Sequence, residues 1–101
     1  MELEQLRMFL AVAECRSFSG AARALFVSHS TTSRAVAALE RELGVSLMHR
    51  TGRAEVTLTE EGEWLKPKAE EMLKLSEDIK KQIRERSKLH SAHMIRRKKY
   101  E

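Results

Sequence analysis

Residues 17–51 read SFSGAARALFVSHSTTSRAVAALERELGVSLMHRT, and they decide the fold because two helices and a tight turn can be placed on them. Ser19 is a good N-cap for a short helix over roughly residues 20–25, which would bury Ala21, Ala22 and Leu25. Phe26-Val27 forms the turn, with Val27 expected to plug the angle between the helices. Ser28 then caps a longer helix over roughly residues 29–43, whose inner stripe is expected to be Ala35, Val36, Leu39 and Leu43. Gly44 ends it, because glycine adopts a left-handed C′ conformation at little cost. The start of this second helix is crowded with Ser28, His29, Ser30, Thr31, Thr32, Ser33 and Arg34. A helix N-terminus presents unpaired N–H groups and a partial positive charge, which suit a phosphate. Side chains at such an end can also reach base edges in a major groove.

Upstream, Leu3, Leu6, Phe9, Leu10 and Ala13 recur at steps of three and four, which predicts a helix over roughly residues 2–14. Met8 and Val12 widen its apolar face. Downstream, Leu47-Met48-His49-Arg50 and Glu55-Val56-Thr57-Leu58 flank Thr51-Gly52-Arg53-Ala54, the pattern of a small hairpin, or wing. Thr59 is placed to cap a long fourth helix over residues 60–88, with Glu60 and Glu61 at its positive end. There Leu65, Ala69, Met72, Ser76, Ile79 and Ile83 follow at alternating steps of four and three, a heptad-like seam. A helix of ~25 residues is about 38 Å long and overhangs so small a head. Its stripe calls for a partner, most simply a second copy of the chain. Pro67 removes one backbone hydrogen bond from that helix. The expected organisation is a head over residues 1–59, a linker and dimerisation helix over 60–88, and a basic, frayed tail over 89–101.

The chain has 101 residues, 42% of them hydrophobic, enough for one small core. A single cysteine, Cys15, excludes an internal disulfide. No apolar run reaches membrane-spanning length, and the acidic N-terminus is not a signal peptide, so a cytoplasmic protein is expected. The net charge of +4 is unevenly spread. Residues 1–64 hold seven Arg against nine Glu, a net of −2, whereas residues 65–101 hold twelve Lys or Arg against six acids, a net of +6. The head therefore cannot hold nucleic acid by bulk charge and must place a few arginines well. Four scattered glycines make no nucleotide loop, and no catalytic constellation is visible. His90 and His93 lack the further ligands of a metal site. No enzyme activity, metal or cofactor is expected.

Each candidate has a plainer reading. Arg34 is expected at a guanine edge or phosphate, against a merely solvated arginine. Ser28 is first a helix cap, with phosphate contact in addition, and Thr31 and Ser33 could simply bond back to their own helix. Arg50 could instead pair with Glu40 or Glu60 and brace the wing, while Arg53 at the wing tip is freer to enter a minor groove. Trp64 with Leu65 is expected in the core, and Arg96–Lys99 reads as a solvated tail.

The run LxxFxxVAExxSFxxAARxLxVSxxxxSRxVxxLExELGVxLxxRxxRxxxLTxxGExxL, from Leu6 to Leu65, resembles the N-terminal domain of LysR-type transcriptional regulators. The resemblance implies a mainly α fold, a winged helix-turn-helix of three helices and a two-stranded wing, followed by the linker helix. Its helix-turn-helix falls on residues 18–37. It implies dimers, with linker helices paired antiparallel, on partly palindromic double-stranded DNA. Carried over by position, the DNA contacts fall on Ser28, His29, Ser30, Thr31, Ser33, Arg34, Arg50 and Arg53, and dimerisation on Leu65, Ala69, Met72, Ile79 and Ile83. Two features depart from the family. His29-Ser30-Thr31-Thr32 stands where Gln-Pro-Ala or Gln-Ser-Ala is usual, so base preference should differ. The family also continues into an effector-binding domain, whereas this sequence stops at Glu101, so no small-molecule effector site is expected in it. A truncated module that pairs with a full-length relative and modulates it is the alternative reading.

Overall fold

The computed structural model describes residues 1–50 and 55–94, with side chains as far as Leu89. Three helices, α1 (Leu3–Cys15), α2 (Phe18–Leu25) and α3 (His29–Leu43), precede strands β1 (Met48–Arg50) and β2 (Val56–Leu58) and the long helix α4 (Glu60–Met94). The fold is mainly α, a winged helix-turn-helix with a helical rod attached. The strands pair antiparallel in the register Met48↔Leu58, His49↔Thr57 and Arg50↔Val56.

The helix ends follow local chemistry. Ser17, not Ser19, caps α2 by accepting the Gly20 N–H at 2.9 Å, so the helix starts two residues earlier than its sequence suggested. The reason is that Phe18 is itself a helical residue, packed against the core. At the other end Phe26 turns left-handed (φ 56°), and the N–H groups of Phe26 and Val27 donate back to Arg23 and Ala22. This closes two orphan carbonyls and sets the angle to α3. Val27 packs against the core as expected, whereas the Phe26 ring is 95% exposed.

The core joins Leu6, Met8, Phe9 and Val12 of α1 to Ala21, Val36, Leu39, Leu47, Met48, Val56, Leu65 and Ala69. Thus α1 is the central element, touching α2, α3 and α4. Three expectations change. Within the expected inner stripe of α3, Val36 and Leu39 are buried and Ala35 packs against the core, but Thr32 joins them from the first turn and Leu43 is exposed. Trp64 is 67% exposed rather than core. Leu65 and Ala69, expected in the dimer seam, are buried within the head of their own chain.

Two hydrogen bonds from Thr59, one backbone and one side-chain, tie the segment entering the wing to the start of α4. Thr59 donates its N–H to the Leu47 carbonyl at 3.0 Å and its hydroxyl to the Ser46 carbonyl at 2.7 Å. The same hydroxyl accepts the Gly62 N–H at 3.0 Å, so Thr59 caps α4 as its sequence position suggested. Gly62 is needed there for space: a Cβ on it would overlap the Leu47 carbonyl oxygen and sit 3.2 Å from Leu58 Cδ2. Beyond Ala69, α4 leaves the head, and Met72, Leu75, Ile79, Ile83 and Leu89 are all exposed. Helix α4 is 35 residues long, about 52 Å at ~1.5 Å per residue, and runs to Met94, past the expected end at residue 88 and into the segment expected to fray.

Candidate nucleic-acid interface

The start of α3 is organised by Ser28. Its backbone is extended (φ −78°, ψ 158°), and its Oγ accepts the Thr31 N–H at 3.0 Å. The same oxygen lies 2.8 Å from Thr31 Oγ1, and Thr32 donates its hydroxyl to the Ser28 carbonyl at 3.2 Å. Not every hydroxyl of this tip faces outward, therefore. Thr32 is fully buried, its hydroxyl consumed inside the turn. Ser28, His29, Ser30 and Arg34 are exposed, while Thr31 and Ser33 are half-buried.

Helical geometry explains the division. At ~3.6 residues per turn, Ser30 and Arg34 fall opposite Thr32, Val36 and Leu39. Burying that inner stripe against α1 forces Ser30 and Arg34 into solvent. Among the described residues, no ion pair holds the Arg34 guanidinium. An unpaired cation with exposed hydroxyls at a positive helix end is suited to an anionic, groove-shaped ligand.

His29 and Ser33 lie on the flank of α3, beside a shallow groove shared with Ser17, Phe18, Ser19 and Arg50. The His29 ring sits 6.0 Å from that of Phe18, tilted by 47°. Arg50, on β1, places its guanidinium over the same Phe18 ring, 5.1 Å from the centroid. It also pairs with Glu40 at 3.4 Å, which settles the choice between Glu40 and Glu60. Glu40 does two jobs, since its second oxygen accepts the Leu47 N–H at 2.8 Å. One carboxylate on α3 thus fixes both the entry into the wing and the arginine on it. Glu40 is one of two acids that the sequence offers as a brace for Arg50, but its second bond to Leu47 and the role of Phe18 as a platform were not foreseen. Both depend on residues from different elements being brought together, seven positions apart for Glu40 and Leu47 and 32 for Phe18 and Arg50, which no periodic pattern encodes.

Arg53 and Arg96–Lys99 lie outside the described residues. Of the remaining contact candidates, His29, Ser33 and Arg50 meet at the shallow groove, while Ser28, Ser30, Thr31 and Arg34 lie at the cap and first turns of α3.

The family model of bacterial regulatory helix-turn-helix proteins of the lysR family matches residues 3–63. An uncharacterized HTH-type transcriptional regulator in the ibpB-leuC intergenic region of Azotobacter vinelandii is 43% identical over 83 residues, covering 82% of this chain and 57% of that protein. The HTH-type transcriptional regulator IlvY of Escherichia coli is 48% identical over 73 residues, covering 72% of this chain but 24% of that protein. The chain therefore spans only part of the length of these relatives. Among solved structures, the CbnR DNA-binding domain in complex with DNA superposes with a TM-score of 0.81 at 34% identity, covering 86% of this chain and 99% of that one.

Proposed function

The chain belongs to the lysR family of bacterial regulatory helix-turn-helix proteins, and from that premise we propose that it binds double-stranded DNA sequence-specifically, as a homodimer joined through α4. It is the DNA-binding part of a cytoplasmic transcription regulator and performs no catalysis. Helix α3 enters the major groove. Ser30 and Arg34 meet base edges or phosphates there, and Ser28, Thr31, His29 and Ser33 line its approach. Arg50 holds the neighbouring backbone, with Arg53 at the adjoining minor groove. The observation that carries this reading is the exposed pair Ser30 and Arg34 on the outer face of α3, with no ion pair to Arg34 among the described residues. The similarity to a DNA-bound domain supports it.

Selection of bound sites from a random duplex pool tests the proposal. A two-fold related pair of half-sites is expected, and Arg34→Ala should cost about 1–3 kcal/mol and relax preference at one base pair of each half. Enrichment of no sequence, or an Arg34→Ala chain as tight and selective as its parent, refutes it. The exposed apolar face of α4 also favours a second reading, in which the chain pairs with a longer relative and modulates it. Mixing the two and finding only self-pairs removes that reading.

A further inference from the structure

Phe18 opens α2, and its neighbours along the chain fix it there. The Ser17 Oγ accepts the Gly20 N–H at 2.9 Å and the Ser17 carbonyl accepts the Ala21 N–H at 3.0 Å, which closes the first turn around it. Its side chain is half-buried: it packs against the core and also lines the shallow groove between α3 and β1. Two of the DNA contacts proposed above lean on this ring. The His29 ring lies 6.0 Å away at a tilt of 47°, within the range of favourable aromatic pairs. The Arg50 guanidinium sits over the ring at 5.1 Å, within the reach of a cation–π contact. We propose that Phe18 is a positioning residue for DNA binding, whose ring holds the imidazole at the start of α3 and the guanidinium on the wing in one shared arrangement. This role rests on the DNA-binding reading above and adds the residue that sets the two contacts relative to one another.

Three observations carry it. The first is what else holds His29. Among the described residues its side chain makes no hydrogen bond or ion pair, so the Phe18 ring is what restrains it. The second is how Arg50 is held. Its pair with Glu40 runs through one nitrogen, Nη2, at 3.4 Å and leaves the side chain 44% exposed. One long contact does not fix so flexible a side chain; the ring beneath it supplies a second restraint. A guanidinium carries five N–H donors, so this arrangement leaves donors free for a phosphate oxygen. The third is the groove itself. Its lining holds His29 and Arg50 with Ser17, Ser19 and Ser33, and no carboxylate. Such a recess suits a phosphodiester, and Phe18 is the member of it that touches both nitrogen-bearing side chains. The consequence is preorganisation. Ordering one long side chain on binding costs about two- to tenfold in affinity, so a ring that orders two of them in the free protein is worth about 5- to 100-fold.

Phe18→Leu keeps an apolar side chain against the core and removes the aromatic face; Phe18→Tyr keeps the face. Affinity for a duplex selected by the parent chain is measured for each, with unfolding followed in parallel to separate loss of the folded head from loss of binding. Phe18→Leu should bind about 5- to 100-fold more weakly, with base preference relaxed at the position His29 meets, and Phe18→Tyr should stay close to the parent. In a chain that carries His29→Ala and Arg50→Met, Phe18→Leu should cost nothing further, because the groups it positions are gone. The full loss in that background, or a tyrosine as poor as leucine, shows that Phe18 acts only by packing the head and overturns the positioning role. So does a Phe18→Leu chain as tight and selective as the parent. The folded parent gives a check independent of any variant: a nuclear Overhauser contact between the Phe18 and His29 rings is expected, and its absence overturns the role. A parent that selects no duplex at all overturns the DNA-binding reading, and the positioning role with it.

Discussion

Gly62→Ala tests the joint between wing and rod, and helix propensity and packing predict opposite signs for it. Gly62 is the third residue of α4. By intrinsic helix propensity, alanine in place of glycine stabilises a helix by about 1 kcal/mol. Here the added Cβ meets the Leu47 carbonyl group, its carbon 3.1 Å away and its oxygen overlapped, and the Leu58 side chain at 3.2 Å. The leucine tip can turn aside; the carbonyl cannot, because it accepts the Thr59 N–H and belongs to the segment entering β1. Overpacking of this kind costs about 1–3 kcal/mol. Moving α4 outward also loosens the Thr59 hydrogen bonds to Leu47 and Ser46, each worth about 1 kcal/mol. Offset by propensity, the net loss is about 2 kcal/mol. For a domain of this size that lowers the melting midpoint by roughly 8–16 °C, at about 4–8 °C per kcal/mol. Urea or thermal unfolding followed by circular dichroism measures it. A Gly62→Ala chain as stable as the parent, or more stable, shows that propensity rules here and that the contact with Leu47 does not constrain α4.

Other perturbations separate the parts. Ser28→Ala should destabilise the chain by about 0.5–2 kcal/mol, through loss of the cap on Thr31, and weaken DNA binding further than the stability loss explains; unchanged unfolding would show the cap to be idle. Ile79→Glu places a charge on the exposed apolar face of each α4 and should yield monomers by sedimentation with the head still folded; an intact dimer would exclude α4 as the interface. DNA affinity should fall linearly with the logarithm of salt concentration, by about 0.9 per phosphate neutralised in B-form DNA, and Arg50→Met should reduce that slope by about one. If the slope is unchanged while affinity drops, Arg50 acts only through its contacts with Glu40 and Phe18.

Much of the scaffold was legible because its signals are local. The cap at Ser28, the stop at Gly44, the cap at Thr59 and the short wing strands each depend on residues within a turn or two of one another, and the structure has them where the pattern put them. The start of α2 was misread because Ser17 and Ser19 are both competent caps by type, and only the packing of Phe18 selects the first. At the α3 tip, the positions carried over from the family already left Thr32 out of the contacts, and the structure supplies the reason: Thr32 is turned inward by the same rotation that presents Ser30 and Arg34.

The amino-acid order alone determined the periodic elements, their caps and the hydroxyl-rich tip with its arginine, since helix period and capping are properties of neighbouring residues. Tertiary structure decided how the apolar residues of α4 are shared out: Leu65 and Ala69 go to the head, and Trp64, Met72, Ile79 and Ile83 stay in solvent. A heptad seam cannot make that division, because it records which residues lie on a common face but not where the neighbouring core ends. The same holds for Gly62, which a sequence shows only as a weak helix former and which the close approach of the Leu47 carbonyl makes necessary.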